Sequence, residues 1–283
     1  MKLSIITINR NNAAGLRKTM ESVFSQTYCN CEYIVVDGAS TDESVELIRT
    51  SALQAEGLDF KWLSEPDSGI YNAMNKGIKM AHGEYTLMLN SGDYLVDEHV
   101  IERIISELDG IDIVQGNNIE ERNGKLYRNR GYGKSNIDLF DIMKGHFLHQ
   151  ASFCRRDLFE QFGYFDESYK MGADTKFFMV CLGYKDATFK YVDIDVANYD
   201  MSGISAEQSG KWAECHREEL KRIHKELFSD RAFTFMLDND KKIRLYNELH
   251  SHKWTWYLTM VIAHIRSWVY GYTSECIVEK IDE

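Results

Sequence analysis

Short apolar runs alternate with amphipathic segments along the first part of the chain. The apolar runs have the length of strands, and the first two are rich in β-branched residues; the runs cover residues 3–8, 33–36, 60–63 and 85–89. Between these runs, apolar side chains recur every three or four residues, as they do on one face of a helix. This alternation, with short links, is typical of a mostly parallel sheet that carries helices on both faces. The sequence therefore predicts an α/β fold.

The pattern becomes less regular after residue 111. An apolar run over residues 111–115 is followed by a hairpin signal centred on Asn123-Gly124. From residue 206 the chain is charged and helical, and it ends in an aromatic-rich segment. We predict one domain over residues 1–205, made of the halves 1–115 and 116–205, and a helical C-terminal extension over residues 206–283.

The net charge and the composition restrict the classes of molecule that this protein is expected to bind. The 283 residues contain 44 Asp and Glu against 33 Lys and Arg, which gives a net charge of -11. Nucleic-acid binding needs a basic surface, so we do not expect nucleic acid as a partner. The apolar fraction of 44% is sufficient for a sizeable core.

The cysteines and the apolar segments of the sequence indicate the cellular compartment of the protein. Only Cys29 and Cys31 lie close together in the sequence, and no Cys and His have the spacing of a zinc site. The N-terminal apolar run is too short for a signal peptide. Residues 254–270 come nearest to a membrane span, but His264 and Arg266 interrupt them. We therefore expect a cytoplasmic protein with reduced thiols.

Carboxylates follow three successive predicted strands. Asp37 comes after the second strand, Asp67 after the third and Asp93 after the fourth. Because the carboxyl ends of parallel strands share one edge of a sheet, these side chains can converge. A single Asp at such a place is as readily a helix cap or a turn former. Three in succession favour a common site, and Asp174, at the start of a later helix, is a fourth candidate.

A set of motifs in fixed order makes the sequence resemble a known family. The motifs span residues 4–10, 16–26, 33–42, 65–77, 83–93, 149–150, 163–167 and 172–174. With these motifs the chain resembles the family 2 glycosyltransferases of the GT-A fold, in particular bacterial enzymes of exopolysaccharide and capsule assembly. The resemblance covers residues 1–205 and leaves the C-terminal extension outside it.

The resemblance implies a Rossmann-like GT-A sheet and an inverting sugar transfer. The donor would be a nucleoside diphosphate sugar, most simply a UDP-sugar, and the acceptor a hydroxyl of a glycan or lipid-linked saccharide in cell-surface polysaccharide synthesis. Residues 1–115 would bind the nucleotide-sugar and residues 116–205 the acceptor. Thr7, Asn9 and Asp37 would border the nucleoside, and Asp67 would lie beside the nucleotide or the donor sugar.

The resemblance also implies a divalent cation, Mn²⁺ or Mg²⁺, at the turn after the fourth strand. Asp93 matches the metal-bearing Asp of the family's acidic turn, and Asn90, Ser91 and Gly92 precede it as donor-site residues. A cation would offset the repulsion between a diphosphate and these carboxylates.

Two basic residues lie near this predicted donor site. His149 would contact the diphosphate or the metal, or else be an ordinary packing histidine. Lys76 would neutralise phosphate or be solvated.

Asp174 is the candidate for the general base, or else a helix cap. An inverting transfer needs a base that takes the proton of the attacking hydroxyl, and a carboxylate with a raised pKa suits that task. Asp166, in the motif over residues 163–167, is expected to be structural.

Two other functions and the C-terminal segment stay open. A sugar nucleotidyltransferase would need a glycine-rich, basic phosphate loop, which residues 9–13 match poorly. A non-catalytic glycan-assembly subunit is the other alternative, because Asn90 replaces an acid. The aromatic C-terminal segment is either an interfacial helix at the inner face of the membrane, or a helix packed on the domain or a second subunit, as in an oligomer; the negative net charge favours packing.

Overall fold

The computed structural model describes residues 2–28, 30–53, 57–137, 139–203, 210–228 and 278–280. One compact unit comprises Met1–Glu219 and Cys276–Glu283, and a second comprises Leu220–Glu275. The domain boundary at residue 205 stays a prediction, since residues 204–209 are outside the described part of the chain. The aromatic segment over residues 254–270 is also outside it.

The first half of the chain folds as the alternation predicts. Its elements are β1 (Leu3–Asn9), α1 (Ala13–Phe24), β2 (Cys31–Asp37), α2 (Ser44–Ala52), β3 (Asp59–Ser64), α3 (Ile70–Met80) and β4 (Tyr85–Met88). The four strands pair in the order β3-β2-β1-β4, and every pairing among them is parallel. The carboxyl ends of these strands therefore form one edge of the sheet, where the predicted acids follow.

The rest of the chain adds strands to the same sheet, most of them antiparallel to their neighbours. Its elements are β5 (Tyr94–Leu95), α4 (Val100–Ile105), β6 (Ile113–Arg122), β7 (Lys125–Asn129), α5 (Leu139–Lys144), a 3-10 turn (His149–Ala151), β8 (Ser152–Arg155), α6 (Asp157–Phe162), α7 (Ala173–Tyr184), β9 (Phe189–Tyr199), α8 (Lys211–Leu227) and β10 (Val278–Lys280). Strand β8 pairs antiparallel with both β4 and β6, so it joins the two halves. The α/β fold of the GT-A type is confirmed, with parallel pairing among β1 to β4 and between β6 and β9.

The apolar pattern explains why β1 and β2 are central. Every residue of both strands is buried. Leu16 and Met20 of α1 pack with Ile5 and Tyr33 in the main core, and full burial of such side chains stabilises the fold by about 1.5–3 kcal/mol each. Asn12 caps α1, because its side chain accepts a hydrogen bond from the backbone N–H of Gly15 at 3.1 Å.

The β6–β7 hairpin is confirmed, whereas strand β9 was not predicted. Asn123 and Gly124 have φ angles of 53° and 70°, which is the left-handed pair that a tight two-residue hairpin requires. Strand β9 runs parallel to β6 over most of its length. Its sequence places Lys190, Asp193 and Asp195 among apolar residues, so it lacks the continuous apolar run of the other central strands.

A buried carboxylate lies at the opposite edge of the parallel strands. Glu32, whose side chain has 0% exposure, accepts hydrogen bonds from Ser4 Oγ at 2.5 Å, Lys61 Nζ at 2.8 Å and the Gly83 N–H at 3.0 Å, and also from the His82 N–H. Burial raises the pKa of Glu32, but these donors outweigh it and bring the pKa to about 2. Glu32 thus joins β1, β2 and β3 to the turn that precedes β4.

Neither a membrane span nor a disulfide is found among the residues that the structure describes. No helix there combines the length and the apolar character needed to cross a bilayer. Cys31, Cys154, Cys181 and Cys215 carry free thiols, and Cys29 lies outside the described residues.

Candidate active site

The carboxylate of Asp37, at the end of β2, is enclosed by its neighbours. Its Oδ1 accepts from Asn9 Nδ2 at 2.9 Å and Ser40 Oγ at 2.6 Å, and its Oδ2 accepts from the Ser40 N–H at 2.9 Å and Ser64 Oγ at 2.8 Å. The residue has 0% exposure. Since a carboxylate has about four acceptor sites, the geometry argues against the direct nucleoside contact predicted for Asp37. Asp37 instead joins the ends of β1, β2 and β3.

Thr7 is also engaged inside the fold, whereas Asn9 keeps a free acceptor. Thr7 Oγ1 donates to the Leu89 carbonyl at 2.7 Å and accepts from the Tyr33 hydroxyl at 3.0 Å. The Oδ1 atom of Asn9 is buried and has no hydrogen-bond partner within the described chain. Of the three residues predicted to border the nucleoside, Asn9 is therefore the one whose side chain has an acceptor atom without a hydrogen-bond partner among the described residues.

Asp67 lies against the glycine that follows Asp37. A Cβ atom on Gly38 would be 2.1 Å from Asp67 Oδ2, so only glycine leaves room for this carboxylate. Asp67 Oδ1 accepts from the Gly69 N–H at 3.1 Å and lies 3.8 Å from Arg10 Nη1. The Arg10 side chain is 65% exposed. Arg10, which was not predicted, thus brings a cation to the rim beside Asp67.

Helix α1 holds the turn from Asn90 to Asp93. Asn12 Nδ2 donates to the carbonyl and hydroxyl oxygens of Ser91 at 3.2 and 3.4 Å. Thr19 Oγ1 accepts from the Gly92 N–H at 3.0 Å and donates to the Asp93 carbonyl at 2.6 Å. The backbone of this turn is therefore fixed from one side, and Ser91 serves chiefly to attach it.

A second carboxylate, Asp200, meets this turn from the segment after β9. Asp93 Oδ1 accepts from the Asp200 N–H at 2.8 Å. Gly92 has a φ of +109°, and a Cβ atom there would lie 2.4 Å from Asp200 Oδ2. Asp200 therefore fills the space that an acidic side chain at position 92 would take. Asp200 was not predicted, because it follows strand β9, whose mixed sequence carries no strand signal.

Burial has the largest effect on the pKa of Asp93. The residue is 3% exposed, and this burial raises its pKa to about 7, although the Asp200 N–H and the nearby His149 favour the charged form. A cation beside Asp93 would favour the charged form further.

A continuous chain of contacts joins three predicted residues and one that was not predicted. Asn90 Nδ2 lies 3.2 Å from His149 Nε2, and His149 Nδ1 lies 2.9 Å from Asp174 Oδ2. The hydroxyl of Tyr71 donates to Asp174 Oδ1 at 2.9 Å. Because Asn90 Nδ2 is a donor to Nε2 and Asp174 is an acceptor for Nδ1, a neutral His149 carries its proton on Nδ1. The side chains of His149 and Asp174 are each 16% exposed.

The protonation of this pair differs from the prediction for Asp174. Burial raises the pKa of Asp174, but the hydrogen bonds from His149 and Tyr71 and the charge of His149 outweigh it, so the pKa is lowered. The expectation of a raised pKa was wrong for this reason. Burial lowers the pKa of His149, yet the contact with Asp174 and the charge of Asp93 leave it above its ordinary value.

Two further candidates have structural partners. Lys76 Nζ lies 2.8 Å from the Pro66 carbonyl and 2.8 Å from Glu65 Oε1, so it closes the turn before α3. Burial raises the pKa of Asp166, but the ion pair with Lys176 at 2.9 Å and the Ser168 donors hold it at about 2. These contacts match the structural role expected for Asp166.

The motif residues of α3 attach that helix to residues 163–167. Asn75 Nδ2 donates to the Phe165 carbonyl and to Glu167 Oε1, both at 2.9 Å, and Asn75 Oδ1 accepts from the Phe165 N–H at 3.0 Å. Asn72 Nδ2 donates to Glu167 Oε2 at 2.9 Å. Two of the ordered motifs, residues 65–77 and 163–167, are therefore in direct contact. The motif that contains Asp174 follows the second of them in the chain.

The donor set at the turn after β4 fits a divalent cation. No cluster of three or more His, Cys, Asp or Glu side chains able to hold a metal occurs in the described ranges. However, Mg²⁺ and Mn²⁺ are commonly bound through one or two carboxylates, with phosphate oxygens and water as the other ligands. Asp93 and Asp200 supply two carboxylates, and the buried Oδ1 of Asn90 has no hydrogen-bond partner among the described residues.

Known proteins similar to this chain are glycosyltransferases. A PGL/p-HBAD biosynthesis glycosyltransferase of Mycobacterium bovis is 31% identical over 205 residues, which cover 71% of this chain and 77% of that protein. An uncharacterized glycosyltransferase of Bacillus subtilis, YwdF, is 28% identical over 230 residues, which cover 79% of this chain and 83% of that protein.

Solved structures share the fold. Staphylococcus aureus TarS, residues 1–349 in complex with UDP, superposes with a TM-score of 0.60 at 22% identity, over 70% of this chain and 60% of that solved chain. TarS was also solved with UDP-GlcNAc. The mannosyltransferase PcManGT of Pyrobaculum calidifontis, in complex with GDP-Man and Mn²⁺, superposes with a TM-score of 0.56 at 17% identity, over 96% of this chain and 88% of that one.

The family follows from the sequence match. The model of glycosyl transferase family 2 matches residues 4–163, which are more than half of the chain and run from the second residue of β1 to the end of α6. Together with the 31% identical relative, this match establishes that the chain belongs to glycosyl transferase family 2 and is a glycosyltransferase.

Proposed function

We propose that this glycosyltransferase moves a sugar from a UDP-sugar to a hydroxyl group of a glycan or lipid-linked saccharide, with inversion at the anomeric carbon, in cell-surface polysaccharide synthesis. The observation that carries the proposal is the contact chain from Asn90 through His149 to Asp174. One end of this chain is the turn that bears Asp93. A cation-binding turn and a proton acceptor are thus adjacent, as transfer of a sugar from a diphosphate requires.

The rim formed by Asn9, Arg10 and Asp67 is the proposed nucleoside side of the donor site. Asn9 Oδ1 is an acceptor without a partner among the described residues, and Asp67 is a second acceptor next to Gly38. A uracil N–H would donate to Asp67, because the Asn9 Oδ1 atom is buried and a carboxylate acceptor makes the stronger bond. We therefore transfer the base-reading role from Asp37 to Asp67, while Asp37 keeps the loops in place. That TarS was solved with UDP and UDP-GlcNAc supports the choice of donor.

Asp93 and Asp200 are the proposed protein ligands of Mn²⁺ or Mg²⁺, with Asn90 Oδ1 as an additional ligand atom. His149, predicted to contact the diphosphate or the metal, is instead proposed as part of the proton acceptor, because its Nε2 atom cannot bind a cation and take a proton at the same time. A bound divalent cation would neutralise the charge of the diphosphate and would stabilise the departing UDP as a Lewis acid. The Mn²⁺ in the PcManGT complex supports a divalent ion on this fold. The contact of Asp200 with Gly92 supplies the carboxylate that this turn lacks.

The Asp174–His149 pair is the proposed proton acceptor. The acceptor hydroxyl oxygen forms a bond to the anomeric carbon from the side opposite UDP. The bond from this carbon to the diphosphate oxygen breaks, and its electron pair goes to UDP. The hydroxyl proton goes to the pair. A carboxylate with a lowered pKa is a weak base alone, but the imidazole beside it, whose pKa Asp174 raises against the effect of burial, can share the proton.

The cellular location of the enzyme is a separate proposal. We propose a cytoplasmic enzyme, with the C-terminal segment as its contact to the inner face of the membrane or to a second subunit. Flotation with anionic liposomes, with and without residues 240–283, distinguishes the two. Equal flotation of both forms would remove the membrane contact.

A thermal-shift screen tests the donor and the cation together. UDP, GDP, dTDP and CMP are compared with and without Mn²⁺, since a ligand that binds the native state raises its stability by about 2.7 kcal/mol at one hundred times its Kd. We expect UDP with Mn²⁺ to give the largest shift. A larger shift with GDP would replace the proposed donor, and no shift with any nucleotide would contradict nucleotide-sugar binding. Release of UDP from UDP-sugars then tests transfer itself.

A further inference from the structure

Glu219, on α8, contacts the backbone that leads into α7. Its Oε1 accepts from the Lys170 N–H at 2.7 Å, and its Oε2 accepts from the N–H groups of Met171 at 2.8 Å and Gly172 at 3.0 Å. Three successive amides thus converge on one carboxylate that lies 47 to 49 positions later in the chain. Hydrogen bonds to a charged acceptor are about twice as strong as neutral ones, so this single side chain fixes a three-residue segment.

This segment determines where α7 begins. Gly172 is the N-cap of α7 and provides no side-chain cap, and its carbonyl accepts from the Lys176 N–H at 2.9 Å. The first N–H groups of a helix have no partner within the helix and need one from outside, and the residues that lead into it also need a fixed path. Glu219 supplies the partner for Gly172 and for the two residues before it.

Asp174 is the second residue of α7, and its contacts come from other elements. Its two oxygens meet Tyr71 of α3 and His149 of the 3-10 turn, both at 2.9 Å. Hydrogen bonds weaken steeply with misalignment. A displacement of about 1 Å at a reacting group can cost roughly one hundredfold in rate. A change in where α7 begins would therefore disturb both contacts of Asp174.

We propose that Glu219 is a positioning residue, which holds residues 170–172 and thereby keeps Asp174 in register with His149 and Tyr71. Its effect on turnover rests on the proposed function. Its effect on the contact between Asp174 and His149 does not. Glu219 acts on Asp174 indirectly, through the position of α7.

The contact is tested in the metal-free protein by the ¹⁵N NMR signals of the His149 imidazole, which report which ring nitrogen carries the proton. Glu219→Gln keeps the shape but replaces one acceptor oxygen by an amide donor that faces backbone N–H groups. We expect its His149 signals to move towards those of Asp174→Asn. The control is Glu214→Gln, a change of equal charge at an exposed position of the same helix, which should leave them unchanged. Wild-type His149 signals in Glu219→Gln would overturn the proposal.

A shorter side chain covers the case in which Glu219→Gln does not fold. Glu219→Asp keeps the charge but cannot reach all three amides, so the same displacement of the His149 signals is expected in smaller measure. Unchanged signals in a folded Glu219→Asp protein would equally overturn the proposal.

A double-mutant cycle tests the consequence for catalysis. We expect Glu219→Gln to lower kcat for UDP release about tenfold or more, with the KM for the UDP-sugar within about twofold of wild type. In an Asp174→Asn background the same change should add little, because both act through one group. An equal loss in both backgrounds would overturn the proposal. If wild type releases no UDP from any UDP-sugar, the proposed function fails, and the NMR comparison still decides the positioning role.

Discussion

Replacing Glu32 by Gln would show how much a buried carboxylate at the amino-terminal edge of the sheet contributes to stability. Gln has the same shape, but it cannot pair with Lys61 as a charge. Its amide group would also face donors such as the Gly83 N–H. Leaving buried donors without acceptors costs free energy in addition to the lost ion pair.

The magnitude follows from the pKa of Glu32, which lies at about 2 instead of 4.5. At 1.36 kcal/mol per unit this difference is worth roughly 3 kcal/mol. Because the Lys61 side chain is 34% exposed, water screens part of the attraction, and we expect a loss of about 2 kcal/mol at pH 7. The pKa is lower in the folded state, so the stabilisation is present above pH 4.5 and is lost as the pH falls towards 2.

Urea denaturation, followed by tryptophan fluorescence and circular dichroism, measures this loss as a lower midpoint with an unchanged slope. The difference in the free energy of unfolding between wild type and Glu32→Gln should shrink between pH 4.5 and the acid limit of the experiment. Glu46→Gln is the control, because Glu46 is 65% exposed and pairs only at the surface with Arg49; its effect should be below about 0.5 kcal/mol. Equal stability of Glu32→Gln and wild type at pH 7, or a difference independent of pH, would refute the reasoning.

Four further variants test the candidate site. Asp93→Ala and Asp200→Asn should each weaken Mn²⁺-dependent UDP binding about tenfold or more in calorimetry, since each removes a proposed carboxylate ligand; undiminished binding by Asp200→Asn would remove Asp200 from the cation site. Asp174→Asn should keep UDP binding and lose transfer by roughly one hundredfold or more in a UDP-release assay, and full activity would end its assigned role. Gly38→Ala should weaken UDP binding in the thermal-shift screen, because its methyl group displaces Asp67; an unchanged shift would place Asp67 outside the nucleotide site.

The sequence predicted the framework of the site better than the state of its side chains. Strands β1, β2 and β4 are short, mostly apolar runs, and β3 carries Phe60, Trp62 and Leu63, so the strand ends and the position of Asp93 follow from the pattern. His149 and Asp174 lie in separate motifs, and their contact at 2.9 Å was not predicted. The enclosure of Asp37 was not visible, because its partners Ser40 and Ser64 lie in different loops and Ser64 is not distinctive in sequence.

The direction of the pKa shift at Asp174 was wrong for a related reason. It depends on the balance between burial and two donors, His149 and Tyr71, that come from distant parts of the chain. Asp200 was missed because strand β9 mixes charged and apolar residues, and its identification depends on pairing with β6.

The contact between Gly92 and Asp200 bears on how such enzymes are recognised from sequence. A side chain at position 92 and the carboxylate of residue 200 compete for the same volume. Related chains should therefore place the acid at one position or the other, and seldom at both. A signature that demands a run of acids after the fourth strand would overlook proteins of this kind, in which the carboxylate is contributed from 107 residues further along the polypeptide.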